Sequence, residues 1–321
     1  MTDQTEGNSK PKLPYRMILR WLLVVVIFYF LGQRLVHDWP SVQDALGRIS
    51  WKWIGLSLIP GFLYFVPRVA SWRSLLRNLG VRTRFWQAGK VWVNGEIVRY
   101  IPGNVWSVLG RIAQSGSIGT TRMVVFSSMV LEAILLVAAC TMLSAVFLVG
   151  YTAWVFPLRT LLLLILAGAM LLITHRRVAQ WFVSVVFRVL KRKDPAPTVQ
   201  GMASAFGWMT LSWIFFELFQ LIIIVSLGIA MTLSDGIALM GALLLSWLLG
   251  YLSFVTPSGL GVREAATVLL LRPYMGTPEA ILVAVVSRVF IILVEIAALG
   301  IVNIIAFRTK NNESTRSYGT Q

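Results

Sequence analysis

Cysteine and histidine are almost missing from this chain of 321 residues, and acidic charge is scarce. The lone cysteine, Cys140, sits inside an apolar run, which excludes an intrachain disulfide and a thiolate metal cluster. Only two histidines occur, His37 and His175, both near the ends of apolar runs. No metal-ligand spacing and no phosphate-cradling glycine loop accompanies them, so neither a metal nor a cofactor is expected. Charged residues make up only 13% of the chain, and Asp plus Glu number 13 against 29 Lys plus Arg. The net charge of +16 could suggest nucleic acid, but the placement of the basic residues argues for membrane topology instead.

What the chain has in abundance is apolar sequence: 57% of residues are hydrophobic and the mean hydropathy is +0.75. Both values lie far from those of soluble domains. Continuous apolar runs such as 126–151, 153–174, 213–232 and 237–256 approach or exceed the ~20 residues that a bilayer crossing needs. They do not alternate as barrel strands must, so the backbone has to satisfy itself as helices. The expected fold is all-α, a polytopic transmembrane helix bundle. Spans are expected near 17–36, 52–72, 123–150, 153–174, 205–231, 235–256 and 279–307. The amino-terminal apolar run lacks a small-x-small cleavage pattern and meets Gln33 and Arg34 directly, so it reads as a retained span instead of a signal peptide.

Basic residues cluster by connection. Arg68, Arg73, Arg77, Arg82, Arg84 and Lys90 are read as following the second span, and Arg176, Arg177, Arg188, Lys191, Arg192 and Lys193 as following the fourth. The short connection near 231–236 carries only Asp235. The positive-inside bias puts both termini in the cytoplasm, giving a multi-pass protein of the cytoplasmic (inner) membrane. Residues 1–16 then form an amino-terminal tail, 17–307 the membrane domain and 308–321 a carboxy-terminal tail. Arg176–Lys193 reads as a basic amphipathic helix lying in the inner interface, and 193–201, which contains DPAPT, as the linker between halves.

Two segments resist a simple span. Residues 85–112 contain NGEIVRYIPGNVWSVLGR, and 257–277 open with PSGLGVREAA. Cytoplasmic termini require an even number of crossings, so about eight spans are expected. The second segment should cross as a short or broken helix, and the first should enter and return. Pro102, Gly103, Pro257, Gly259 and Gly261 mark the turns, and discontinuous helices in both halves point to a binding site.

Ionisable residues at membrane depth should face protein or water, because even lenient insertion scales assign about 2.5–3.5 kcal/mol to a central charge. Glu132, Glu217, Arg288 and Glu295 lie in long spans. The seven-residue separation of Arg288 and Glu295 puts them about 10 Å apart on one face, so each is expected to meet a partner from another helix. Two readings stay open for these charges: static interhelical ion pairs, or a substrate or proton pathway. Arg263 and Glu264 follow the glycine-rich turn. If a helix begins there inside the membrane, its unpaired N–H groups favour an anion near Arg263; alternatively Arg263 snorkels to the interface. Glu264 is a partner for Arg263, Arg99, Arg111 or Arg288. Glu96 and Arg99, three residues apart, either pair with each other or leave the arginine to reach a phosphate, which a guanidinium suits.

PSGLGVREA followed by SRVFIILVE resembles the signature of the flippase-like integral-membrane family, the transmembrane region of lysylphosphatidylglycerol synthases and its stand-alone relatives. There the pattern is similar to P-x-G-x-G-V-x-E with an arginine in the last span. YIPGNVWSVLGR resembles that family's earlier Pro-Gly segment with its downstream arginine. The resemblance covers essentially the whole chain. It implies lipid handling: transbilayer movement of an anionic or modified phospholipid or a lipid-linked saccharide. With no appended aminoacyl-transferase domain, synthase activity is not expected. The expected site has Arg99, Arg111, Arg263 and Arg288 binding the lipid phosphate, with Glu96, Glu132, Glu217, Glu264 and Glu295 balancing charge or carrying protons. No catalytic residue is assigned. Two alternatives stand beside this one: a non-transporting lipid-binding or assembly subunit working with envelope-biosynthesis enzymes, and an intramembrane transferase using carboxylates alone. Membrane lipids are the expected partners and nucleic acid is not.

Overall fold

The structure, a computed structural model, describes residues 43, 47, 49–97, 106–149, 198–253, 259 and 261–318. The expected spans at 17–36 and 153–174, the amphipathic helix at 176–193, and Arg99, Pro102, Gly103 and Pro257 lie outside the described residues. Every element among the described residues is helical: α1 (Trp51–Leu63), α2 (Phe65–Asn78), α3 (Phe85–Ile97), α4 (Trp106–Ala113), a 3-10 turn (Ser115–Ile118), α5 (Arg122–Val149), α6 (Val199–Ser226), α7 (Leu233–Leu252), α8 (Val262–Leu271) and α9 (Thr277–Tyr318). Among the described residues, five stretches are long and apolar enough to cross a bilayer: Trp51–Asn78, Arg122–Leu148, Gln200–Ser226, Leu233–Leu252 and Thr277–Ile305.

The ends of these helices follow local chemistry that hydropathy does not register. α6 starts six residues before the expected 205 because the Thr198 hydroxyl accepts a hydrogen bond from the Gly201 N–H, a side-chain cap on an otherwise orphaned donor. It stops at Ser226, short of the expected 231, where Gly228 adopts φ +73°. α7 opens on a reciprocal capping box between Thr232 and Asp235, so the one acid of that connection belongs to a helix start. The first described span breaks at Tyr64. Pro67 has no N–H to give the Leu63 carbonyl, and Pro60 interrupts α1 in the same way. The helix then continues to Asn78, six residues past the expected end at 72.

α6 packs along α1 and α2, α7 lies between α5 and α8, and α9 crosses α3 and α8. Small residues bring α5 and α7 together: the Ser144 hydroxyl donates to the Gly241 carbonyl at 3.0 Å, and the Cys140 thiol donates to the Leu244 carbonyl at 3.4 Å. This is how membrane helices associate when hydrophobicity cannot drive them. A large apolar core runs through α2, α3, α5 and α6, built on Trp72, Trp92, Trp213 and Phe219, and a smaller one joins α7, α8 and the start of α9. α4 and α8, of eight and ten residues, reach about 12 and 15 Å at the usual rise, so neither alone spans the ~30 Å of hydrocarbon.

Candidate functional site

The first charged cluster forms where α4 returns against α3 and α5. Arg111 on α4 is 3% exposed. Its Nη1 donates to Glu132 Oε2 of α5, and its Nη2 donates to Glu96 Oε2 of α3 at 2.8 Å. The guanidinium lies 5.1 Å from the ring centre of Trp92 and 5.5 Å from that of Trp72. Trp92 Nε1 donates to the other Glu132 oxygen at 2.7 Å, and Trp72 Nε1 donates to Ser128 Oγ at 3.0 Å. The planar fork thus bridges carboxylates from two helices, a geometry that an ammonium could not reproduce. Gly95 makes this possible, because a Cβ there would collide with the Arg111 side chain.

The second cluster surrounds the start of α8. Gly259 and Gly261 have φ of +67° and +82°, backbone that residues with a Cβ rarely adopt. The turn presses on α7: a Cβ on Gly259 would lie 2.5 Å from the Gly250 carbonyl oxygen, and one on Gly250 would lie 2.7 Å from Arg263 Cβ. Glu264, 5% exposed, accepts the Gly261 N–H through Oε2 at 2.7 Å, and its Oε1 lies 3.7 Å from Arg288 Nε on α9. The protein's own carboxylate therefore takes up an N–H at the helix start where an external anion was expected. Of the partners open to Glu264, the structure brings Arg288 to it, and Arg99 lies outside the described residues.

Arg263 lies with its guanidinium 5.6 Å over Phe216 of α6, within electrostatic range of Glu217. Glu217 has no solvent exposure; one of its oxygens receives Gln220 Nε2 at a long 3.5 Å and the other has no hydrogen-bond partner. Glu295 is buried on α9. Of the expected site residues, then, Glu96, Arg111 and Glu132 form one group, Glu264 and Arg288 a second, and Arg263 with Glu217 a third. Glu96 meets Arg111, fifteen residues on, and Arg99 lies outside the described residues.

One functional candidate escaped the reading of the sequence. Arg68, assigned there to a basic connection after the second span, is inside α2 and 3% exposed. Arg77, Arg82, Arg84 and Lys90 are exposed, as that assignment required. The guanidinium of Arg68 lies 5.7 Å from the ring centre of Tyr64, 5.9 Å from Trp92 and 5.5 Å from Trp213. Its Nη1 donates to the Met209 sulfur at 2.7 Å, a weak acceptor, and its Nε is buried without a hydrogen-bond partner. The signal was helical periodicity: Tyr64, Arg68, Trp72 and Leu75 repeat at the spacing of one helix face, and Trp72 and Leu75 are fully buried.

A family model described as the lysylphosphatidylglycerol synthase transmembrane region matches residues 17–299. The chain belongs to that family. No curated protein matches it. As a member of the lysylphosphatidylglycerol synthase transmembrane-region family the chain is a multi-pass membrane protein, and Arg68, both short helices and the three charged groups fall inside the matched stretch. No cluster of potential metal ligands occurs among the described residues. In this family member the buried guanidinium groups and their exchangeable carboxylate partners are the available chemistry: they can hold an anion and release it, or hold each other.

Proposed function

We propose that this protein is a lipid translocator that moves an anionic phospholipid, a modified phospholipid or a lipid-linked saccharide between leaflets, binding its phosphate through arginines inside the membrane. The observation that carries this reading is Arg111, a buried guanidinium shared by carboxylates from two other helices and delivered by a helix too short to span. With its two arms on carboxylates from two helices, the guanidinium can yield one arm to an incoming phosphate while the other keeps it positioned. Arg99, Arg263 and Arg288 extend the phosphate path. Glu96, Glu132, Glu217, Glu264 and Glu295 serve as counter-charges, any of which can carry a proton when displaced.

In this reading the chain crosses the cytoplasmic membrane eight times with both termini inside. Residues 85–112 enter and return, and 257–277 cross through the short α8. The protein is not an enzyme, needs no cofactor, and meets envelope-biosynthesis enzymes only as suppliers or users of its lipid. Movement is downhill or coupled to an ion gradient. Purified protein in proteoliposomes, with fluorescent phosphatidylglycerol quenched from outside, tests the proposal. Accelerated loss of the protected fluorescence relative to protein-free vesicles is expected. Lipid binding without acceleration would indicate an assembly subunit, and a new lipid product would indicate a transferase; either overturns translocation.

A further inference from the structure

Two interior arginines share one tryptophan. Arg111 lies 5.1 Å and Arg68 5.9 Å from the ring centre of Trp92. Arg111 holds two carboxylates, whereas among the described residues Arg68 forms no ion pair and its hydrogen-bond partner is a thioether sulfur. A guanidinium cannot shed its proton in a protein, so Arg68 remains a cation with nearly all its surface removed from water. Three aromatic faces soften that cost, but they do not supply the charge-assisted hydrogen bonds that five N–H groups require. One of those groups, Nε, is buried without any acceptor. Glu132 is engaged by Arg111 and Trp92, and Glu217 makes no hydrogen bond to Arg68.

A series of aromatic rings links the surface to this cation. Tyr251, 42% exposed, stacks on Trp247 at 5.0 Å, and Trp247 meets Trp213 edge to face at 4.5 Å. Trp213 in turn forms one wall around Arg68. An aromatic ladder therefore runs from the surface of α7 to the uncompensated cation.

We propose that Arg68 is an anion subsite that receives a phosphate group, with a phospholipid headgroup as its source. This rests on the lipid-translocation reading for the source of the phosphate, and on the geometry alone for the site. The phosphate supplies the negative charge and the acceptors that the protein withholds from Arg68. Among the described residues no carboxylate has to be displaced from the guanidinium for the phosphate to enter.

The full-length protein in neutral detergent tests this by thermal unfolding, with phosphatidylglycerol, phosphatidylcholine or inorganic phosphate added. Wild type, Arg68→Met, Arg68→Lys and the surface control Lys90→Met are compared. Wild type and Lys90→Met should gain about 2–4 °C or more with phosphatidylglycerol and less with phosphatidylcholine. Arg68→Met should match or exceed wild type without lipid, because an uncompensated buried charge is gone, and should lose at least half of the phosphatidylglycerol shift. Arg68→Lys should keep part of it. A full shift from inorganic phosphate alone supports the subsite and overturns the lipid headgroup as its source. A lipid-free loss of stability in Arg68→Met, with the lipid shift intact in Arg68→Lys and Arg68→Met, makes Arg68 a structural brace and overturns the proposal. So does the absence of any lipid or phosphate shift in wild type. The two readings separate in proteoliposomes: an Arg68-dependent shift without lipid flipping retains the subsite and removes translocation, while flipping that survives Arg68→Met does the reverse.

Discussion

Arg111 shows how much one side chain can organise. Its carboxylate partners come from positions 15 and 21 residues away on different helices, and the Trp92 indole N–H donates to the same Glu132. Glu132→Ala should therefore lower stability by about 3–5 kcal/mol, the usual cost of breaking a buried pair from one side, with Glu132→Gln intermediate; chemical or thermal unfolding in detergent measures it. Arg263 poses the opposite case. Its contact with Phe216 is of a kind worth about 0.5–2 kcal/mol, and with a lipid phosphate as its working partner Arg263→Ala should impair translocation more than it lowers the melting temperature. Arg263→Lys should recover part of the activity, keeping the charge without the planar fork. A collapse of stability in Arg263→Ala that Glu217→Gln repairs would instead mean that the arginine serves only to balance Glu217.

At the scale of elements, the turn into α8 is the most constrained piece of backbone. Gly261→Ala forces a Cβ onto φ +82° and should cost about 1–3 kcal/mol; Gly250→Ala, whose own backbone is helical, would put its Cβ 2.7 Å from Arg263 Cβ, force α8 away from α7, and so should lower lipid transport together with stability. Melting temperatures measured alongside flipping rates test both. The long apolar elements were legible in the sequence because continuous hydropathy is read directly by the bilayer. Their ends were less so, since Thr198, Asp235 and Gly228 act through capping and φ, which hydropathy ignores. The positions of the charges in the chain were legible, whereas their pairing was not: Glu264 had four candidate arginines, and it is the packing of α8 on α9 that brings Arg288 to it. Arg68 was hidden for a different reason. Its shelter comes from α3 and α6, and nothing in FVPRVASW announces aromatic rings that arrive from elsewhere in the chain.

For the whole molecule, the proposed path of the chain through the bilayer is testable with a simple background. Cys140 is the only cysteine and is fully buried, so Cys140→Ala should fold and leave no reactive thiol. In it, Lys90→Cys and Asn104→Cys should label from the same side of the membrane if residues 85–112 enter and return; labelling from opposite sides removes the re-entrant segment. The pairing of interior charges has a further, electrical consequence. Arg111 faces Glu96 and Glu132, Arg288 faces Glu264, and Arg263 lies in the field of Glu217, so among the described residues these groups largely balance one another against the transmembrane voltage, while Arg68 stands apart as an unbalanced cation. An anionic lipid passing through it carries its charge across the whole field, worth about 2.3 kcal/mol per 100 mV. In a cell negative inside, that voltage pushes the anion outward. Imposed potassium diffusion potentials in proteoliposomes should accordingly speed flipping of phosphatidylglycerol toward the positive side and leave phosphatidylcholine indifferent, making the protein a rectifier whose polarity the membrane supplies.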